Sequence, residues 1–184
     1  MRVIAGKAKG RRLRSPTTGT RPMTDRMKES VFSALGELDG LRVLDLYAGS
    51  GSLGLEALSR GAKRAVFVER DREAILKLEQ NIEATGMKAK AEVMWIDVGS
   101  VLGRSASERI DLIFLDPPYS TPATSVVADL EALVMGGFLA DDGRIVVHRP
   151  AAERSLKPLG LDMKWNREYG QSQIYVFTHE EEQA

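Results

Sequence analysis

From residue 41 onward, short apolar runs alternate with stretches whose apolar positions recur at helical spacing. The runs Arg42–Leu46, Arg64–Val68, Ala91–Ile96, Ile110–Leu115 and Arg144–His148 have strand length and strand composition. Between them, the spacing predicts helices over Ser52–Ser59, about Asp71–Ala84 and Thr121–Leu133, with a short one after Ile96. Upstream, Thr24 is positioned to cap a helix running to about Leu38, with Met27, Val31 and Leu35 four residues apart on one face. Strands alternating with helices predict a mainly parallel sheet covered on both faces. The chain ends differently. Leu161–Glu168 and Ser172–Thr178, separated by Tyr169-Gly170-Gln171, predict a closing antiparallel hairpin. At the other end, Arg2–Gly6 and Arg11–Arg14 are placed to pair as a small hairpin, followed by a turn-rich connector, Ser15–Thr20.

The expected architecture is therefore α/β and Rossmann-like. It divides into a basic N-terminal extension over 1–22, a main domain over 23–178 and an acidic tail over 179–184. A length of 184 residues suits one domain with a full core, and 43% apolar content marks a globular chain. Cysteine is absent, which excludes disulfides and thiolate metal sites and fits a reducing cytoplasm. His148 and His179 lie far apart in sequence, neither in metal-binding spacing, so no metal is expected. No apolar run reaches membrane-spanning length, and the N-terminus lacks the apolar core of a signal peptide.

Charge changes the picture more than composition does. The totals cancel, 26 basic against 26 acidic residues, but Arg2, Lys7, Lys9, Arg11, Arg12, Arg14 and Arg21 all precede the first acidic residue, Asp25. A basic head of this kind is a natural contact for a nucleic-acid backbone, with a solvated surface as the plainer alternative. It lacks interleaved aromatics, so backbone and shape recognition are expected there. The last five residues, from Glu180, are expected to fray.

The most informative stretch is Asp116-Pro117-Pro118-Tyr119, directly after Ile113-Phe114-Leu115. Neither proline donates an N–H, and each biases its predecessor toward extended geometry. The strand thus ends in a rigid corner that sets a carboxylate, bare carbonyls and an aromatic face side by side. A flat ring bearing an NH2 group fits it. The ring stacks on Tyr119 while the Asp116 carboxylate and the Pro117 carbonyl accept its two N–H bonds.

A second loop carries the complementary chemistry. Val43-Leu44-Asp45-Leu46-Tyr47-Ala48 runs from a strand into Gly49-Ser50-Gly51-Ser52-Leu53-Gly54, a match to G-x-G-x-x-G. Ligands of such sheets bind at the carboxyl ends of the strands. A dinucleotide would lay its pyrophosphate over this loop, where a carboxylate at Asp45 repels it. Two unit charges about 4 Å apart at an effective dielectric near 20 interact by roughly 4 kcal/mol. The same carboxylate attracts S-adenosylmethionine, which carries an ammonium and a sulfonium and no phosphate. Glu69, 20 residues after Gly49, is placed to accept ribose hydroxyls for either cofactor. Asp97 follows the third strand; it suits the adenine amino group, with Val98 or Ile96 beside the ring, and equally suits a helix N-cap.

These residues together resemble S-adenosylmethionine-dependent amino methyltransferases. With Arg2-Val3-Ile4-Ala5-Gly6, Lys9-Gly10-Arg11-Arg12-Leu13 and Thr20-Arg21-Pro22-Met23-Thr24-Asp25-Arg26, the resemblance narrows to the RsmD family of bacterial small-subunit (16S) ribosomal RNA guanine-N2 methyltransferases, from Met1 to about Thr178. The resemblance implies a class I methyltransferase fold, with Arg21 and Thr24 near the methionine end of the cofactor or the target nucleotide. It further implies that Asp45, Tyr47, Gly49 and Gly51 lie at the methionine moiety, Glu69 at the ribose, and Asp97 and Val98 at the adenine. Asp116, Pro117, Pro118 and Tyr119 would hold a flipped guanine, and Tyr169-Gly170-Gln171 would border its pocket. Ribosomal RNA within a small-subunit particle is the implied partner of a monomeric enzyme. Three other classes share parts of the pattern: adenine-N6 amino methyltransferases, dinucleotide-dependent oxidoreductases and non-catalytic RNA-binding assembly factors.

Overall fold

Gly36 stops the first helix, and chain punctuation of this kind sets most element boundaries. The computed structural model describes residues 1–15, 23–153 and 155–181. Its elements are α1 (Asp25–Leu35), β1 (Arg42–Leu46), α2 (Ser52–Ser59), β2 (Arg64–Glu69), α3 (Arg72–Thr85), β3 (Ala91–Trp95), α4 (Val98–Leu102), β4 (Ile110–Leu115), α5 (Ala123–Met135), β5 (Leu139–Pro150), β6 (Leu161–Tyr169) and β7 (Ser172–His179). A single turn of 3₁₀ helix, Lys88–Lys90, precedes β3.

Seven strands form one sheet in the order β3-β2-β1-β4-β5-β7-β6. The first five are parallel, and β7 runs antiparallel to both β5 and β6. Chain order reverses between β1 and β4, which are adjacent with Leu46 opposite Leu115. A ligand cleft therefore belongs above the carboxyl ends of these two strands. Alternation along β4 divides the interior: Leu112 and Phe114 pack with Phe32 and Phe67 on one face, and Ile113 and Leu115 pack with Leu130 and Phe177 on the other.

Helix α1 is capped by Thr24, whose hydroxyl accepts from Met27 N at 3.3 Å, but it ends at Leu35 rather than Leu38. Gly36 at φ 72° turns the chain, and Leu38 fills the core from the following loop. Strand β5 starts five residues earlier than Arg144, because Leu139 pairs with Ile110 across an irregularity in β4. Tyr169 belongs to β6, opposite Ser172, so the closing turn is Gly170-Gln171 alone. The tail was expected to fray from Glu180. Within that tail, Glu180 N donates to Gly160 O at 3.0 Å and Lys164 Nζ lies 2.5 Å from Glu181 Oε1, while 182–184 lie outside the described residues.

The N-terminal segment is docked on the main body. Its hairpin reduces to one bridge, Arg2 with Arg12, plus backbone bonds such as Val3 N to Arg11 O at 2.9 Å. Val3, Ala8 and Leu13 are buried in the same core as α1, α2 and α3. Fully buried Glu56 of α2 accepts from Ile4 N at 2.7 Å and Ala5 N at 3.0 Å, and it pairs with buried Lys28 at 3.6 Å and with Arg60 at 2.8 Å. Burial pushes the Lys28 ammonium down from its ordinary value, against the pull of Glu56. The connector predicted from Ser15 lies almost wholly outside the described residues. No helix among the described residues is long and apolar enough to cross a membrane.

Candidate active site

A cleft of about 620 Å3 opens above β1, β2 and β4. Asp45, Tyr47, Gly49, Glu69, Asp97, Val98, Asp116 and Pro118 line it, eight of the residues singled out from sequence, together with Met1 and Met23. Parallel pairing brings them together, because Leu46, Val68 and Leu115 are register neighbours at the strand ends that precede these loops.

Asp45 is buried at 1% exposure and accepts from Gly54 N at 2.9 Å, its one hydrogen-bond partner among the described residues. Burial raises its carboxyl well above the ordinary carboxylate range; the Gly54 N–H opposes this, and the charges of Asp116 and Glu69 add to it. A buried acid at the edge of a cleft, beside two other acids and with no cation paired to it among the described residues, can receive a positively charged ligand.

Glu69 organises the glycine loop. Its Oε2 accepts from Gly49 N at 2.9 Å, and its Oε1 accepts from Arg70 N and Asp71 N, both at 2.8 Å. Asn81 of α3 ties the same loop to the head: its Nδ2 donates to Ser50 O and Arg14 O, and its Oδ1 accepts from Arg14 N. Gly51 faces away from the cleft, at φ 76°, where an added Cβ would lie 2.3 Å from Leu78 Cδ1. Its smallness serves helix packing. Tyr47 holds φ 57°, the one positive value at a non-glycine among the described residues. Its hydroxyl donates to Asp129 at 2.8 Å, and burial with that bond pushes the phenol upward. Asp97 caps α4 through Gly99 N at 2.9 Å and lies 3.3 Å from Arg70. Thr24 is spent on capping α1 and does not line the cleft, although adjacent Met23 does. Arg21 lies outside the described residues.

At the proline corner, Asp116 Oδ1 lies 2.9 Å from His148 Nδ1. His148 Nε2 lies 2.9 Å from the Tyr119 hydroxyl, which is 2.8 Å from Ser172 Oγ. With Nδ1 protonated toward the carboxylate, Nε2 accepts from Tyr119, and the serine donates to the phenol oxygen. Asp116 Oδ2 and the Pro117 carbonyl accept no hydrogen bond from the described residues. Tyr119 and Pro117 stand beside the cleft rather than in its lining, and the Tyr119 ring meets His148 edge-on at 5.5 Å. Below the corner, fully buried Arg149 donates to Pro118 O at 3.3 Å and Thr121 O at 2.6 Å, and it forms a bidentate pair with Glu153.

His148, Arg149, Ser172 and Asp129 were not among the residues singled out from sequence as site residues. Their signal was faint: a polar pair, His148-Arg149, closing an otherwise apolar strand beside the Asp116 strand. Of the basic head, Arg2 pairs with Asp25 and Arg14 reaches Gln80. Lys7, Lys9, Arg11 and Arg12 are exposed and make no side-chain bond to the described residues. Among the described residues, no three acidic or histidine side chains gather where a metal would sit.

Comparison with known proteins is consistent in direction. The family described as Conserved hypothetical protein 95 matches residues 1–178. The putative rRNA methyltransferase YlbH of Bacillus subtilis is 37% identical over 182 residues, 96% of this chain and 98% of the relative. Ribosomal RNA small subunit methyltransferase D of Escherichia coli is 34% identical over 176 residues, 95% of this chain and 86% of the relative. The solved structure of the putative methyltransferase yhhF from Escherichia coli superposes with a TM-score of 0.85 at 32% identity, covering 98% of both chains.

Proposed function

The chain belongs to the Conserved hypothetical protein 95 family, the RsmD family of rRNA methyltransferases, and from that premise we propose that it methylates the exocyclic N2 amine of a guanine in small-subunit ribosomal RNA, using S-adenosylmethionine. The observation that carries this reading is the pair of open acceptors, Asp116 Oδ2 and Pro117 O, at a rigid corner beside a cleft with an uncompensated buried acid.

Bound in that cleft, S-adenosylmethionine supplies an electrophilic methyl group. Asp45 fits its ammonium, and the Glu69 carboxylate, held by three backbone N–H groups, keeps lone pairs toward the ribose. Asp97 and Val98 border the adenine end.

The guanine amine is a weak nucleophile because its lone pair is delocalised into the ring. Asp116 Oδ2 and Pro117 O each accept one of its N–H bonds, which draws the nitrogen toward tetrahedral geometry and localises the lone pair. Methyl transfer from the sulfonium to this nitrogen would leave S-adenosylhomocysteine and one surplus amine proton, which the Asp116 carboxylate is placed to draw off. His148 fixes the carboxylate through Oδ1, so Oδ2 is aimed without a search over rotamers. Flipping a stacked base costs a few kcal/mol. Stacking on the Tyr119 ring, immobilised at its hydroxyl, offsets about 1–3 kcal/mol. Lys7, Lys9, Arg11 and Arg12 contact RNA phosphates. The protein acts in the cytoplasm, as a monomer, on an assembled particle.

The test is transfer of labelled methyl to purified small-subunit particles, followed by nucleoside analysis. N2-methylguanosine is expected. N6-methyladenosine would replace the guanine assignment, and absence of label would overturn the enzymatic reading.

A further inference from the structure

A second groove, of about 430 Å3, runs between α1 and β6 on the face that carries the basic head. Arg26, Glu29 and Ser30 form one wall, and Trp165, Arg167 and Tyr169 form the other. We propose that this groove binds the single-stranded RNA segment flanking the methylated nucleotide, with a base against the Trp165–Tyr169 wall and phosphates at Arg26 and Arg167. The proposal rests on the methyltransferase reading above and adds a binding site to it.

The groove lies next to the proline corner. Tyr169 is the register partner of Ser172, and Ser172 Oγ lies 2.8 Å from the Tyr119 hydroxyl at the proline corner. On the other wall, Met23 lines the cleft and Arg26, three residues on, lines the groove. The groove therefore adjoins the proline corner, within reach of the nucleotides that flank a base held at Asp116.

The groove holds two guanidinium groups against one carboxylate, Glu29. Arg26 has no partner among the described residues, and Arg167 has only a long contact to Ser30 Oγ, at 3.4 Å. The Arg167 guanidinium stands 5.6 Å from the Tyr169 ring centre, a stacked cation beside an aromatic face. Trp165 and Tyr169 are half-buried: one side packs on the core, and the other is open to the groove. Guanidinium groups interleaved with anchored aromatic rings are the platform on which unpaired bases stack. The basic head adjoins this wall, since Arg2 pairs with Asp25, the neighbour of Arg26.

Trp165 is itself the probe. Trp95 lies on β3, at the opposite edge of the sheet, so Trp95→Phe leaves Trp165 as the single indole. In that background, a mixed-sequence oligoribonucleotide of about ten nucleotides is expected to quench Trp165 emission. Arg26→Ala/Arg167→Ala should weaken oligonucleotide binding at least tenfold and flatten its log–log salt dependence by about 1.4, the value for two lost single-strand phosphate contacts. The same variant should raise KM for particles while keeping kcat and S-adenosylhomocysteine affinity, which also certifies its fold. Unchanged emission, or wild-type affinity and salt slope in the double variant, overturns the groove. Quenching by ribosomal protein but not by RNA overturns it as well. If wild type transfers no methyl yet Trp165 is quenched and the double variant loses RNA, the function fails and the groove stands. If wild type methylates guanine and the double variant behaves as wild type, the reverse holds.

Discussion

His148 reaches Asp116 through one ring nitrogen and Tyr119 through the other, each at 2.9 Å, and so joins both ends of the proline corner from a neighbouring strand. The imidazole is fully buried, at 1% exposure, which keeps water from competing for either bond. A hydrogen bond to a charged group is worth about 1.5–3 kcal/mol. His148→Ala is therefore expected to lower kcat about tenfold to a hundredfold, while S-adenosylhomocysteine affinity measured by calorimetry stays near wild type. Asp116→Ala should be more severe and equally silent in cofactor binding. Wild-type turnover in either variant would remove that residue from the chemistry.

Asp45 gives a pH dependence whose sign is fixed by its raised carboxyl. Between the ordinary value of 3.8 and the higher folded value, the native chain holds a proton that the unfolded chain has lost. The free energy of unfolding therefore falls as pH rises through that window, and the cost is complete above the folded value. A cationic ligand favours the ionised form, so cofactor binding should release a proton within the same window and none below it. Asp45→Asn keeps an oxygen for Gly54 N, removes the ionisation and should raise the melting temperature of the ligand-free protein at neutral pH. Cofactor affinity should drop about tenfold to a hundredfold, the equivalent of about 1.5–3 kcal/mol. Calorimetry in buffers of different ionisation enthalpy counts the proton; a proton count of zero throughout would refute the linkage.

The contrast between Asp45 and His148 shows which parts of the site are legible in a sequence. Glu69 and Asp116 close apolar runs and Asp45 interrupts one just before its end, and short runs of strand-forming residues are visible in the local pattern. The strand–helix rhythm followed from the same signal, and Ser52–Ser59 and Ile110–Leu115 have the bounds that their spacing predicts. His148 acts on a residue 32 positions away, and Asn81 on residues 31 and 67 positions away. Only the register of β4 with β5, or the packing of α3 under the glycine loop, brings such partners together. Local pattern carries no record of them. Gly51 shows a second limit: it fits a cofactor fingerprint, and packing alone also requires it, since an added Cβ would lie 2.3 Å from Leu78 Cδ1.

Arg149 and Glu153 form the support beneath the corner. The arginine is fully buried and divides its donors between Glu153 and the carbonyls of Pro118 and Thr121. Removing one partner of a buried pair strands the other, at a cost of about 3 kcal/mol or more. Glu153→Ala should lower the urea midpoint with an unchanged slope and should also reduce kcat, because Pro118 shares the anchor. A stability loss with full turnover would separate the support from the corner.

Gly6 holds the basic head to the body and predicts a coupling between backbone conformation and RNA affinity. It sits at φ 78°, and a Cβ there would fall 1.8 Å from the Ser59 carbonyl oxygen, a backbone atom that cannot turn aside. Lys7 N donates to that same oxygen at 2.8 Å, and Ala8 N donates to Ser59 Oγ at 2.9 Å. Gly6→Ala must therefore break the docking locally or strain it by about 1–3 kcal/mol. The Glu56 contacts to Ile4 and Ala5 lie on the same segment and should loosen with it. Lys7, Lys9, Arg11 and Arg12 would keep their charges but lose their fixed spacing. RNA affinity should fall severalfold with the salt slope nearly unchanged, because the number of cations is the same and only their preorganisation is lost. A Gly6→Ala protein with wild-type RNA affinity and wild-type protease resistance near Lys7 would show that the head works as a flexible arm.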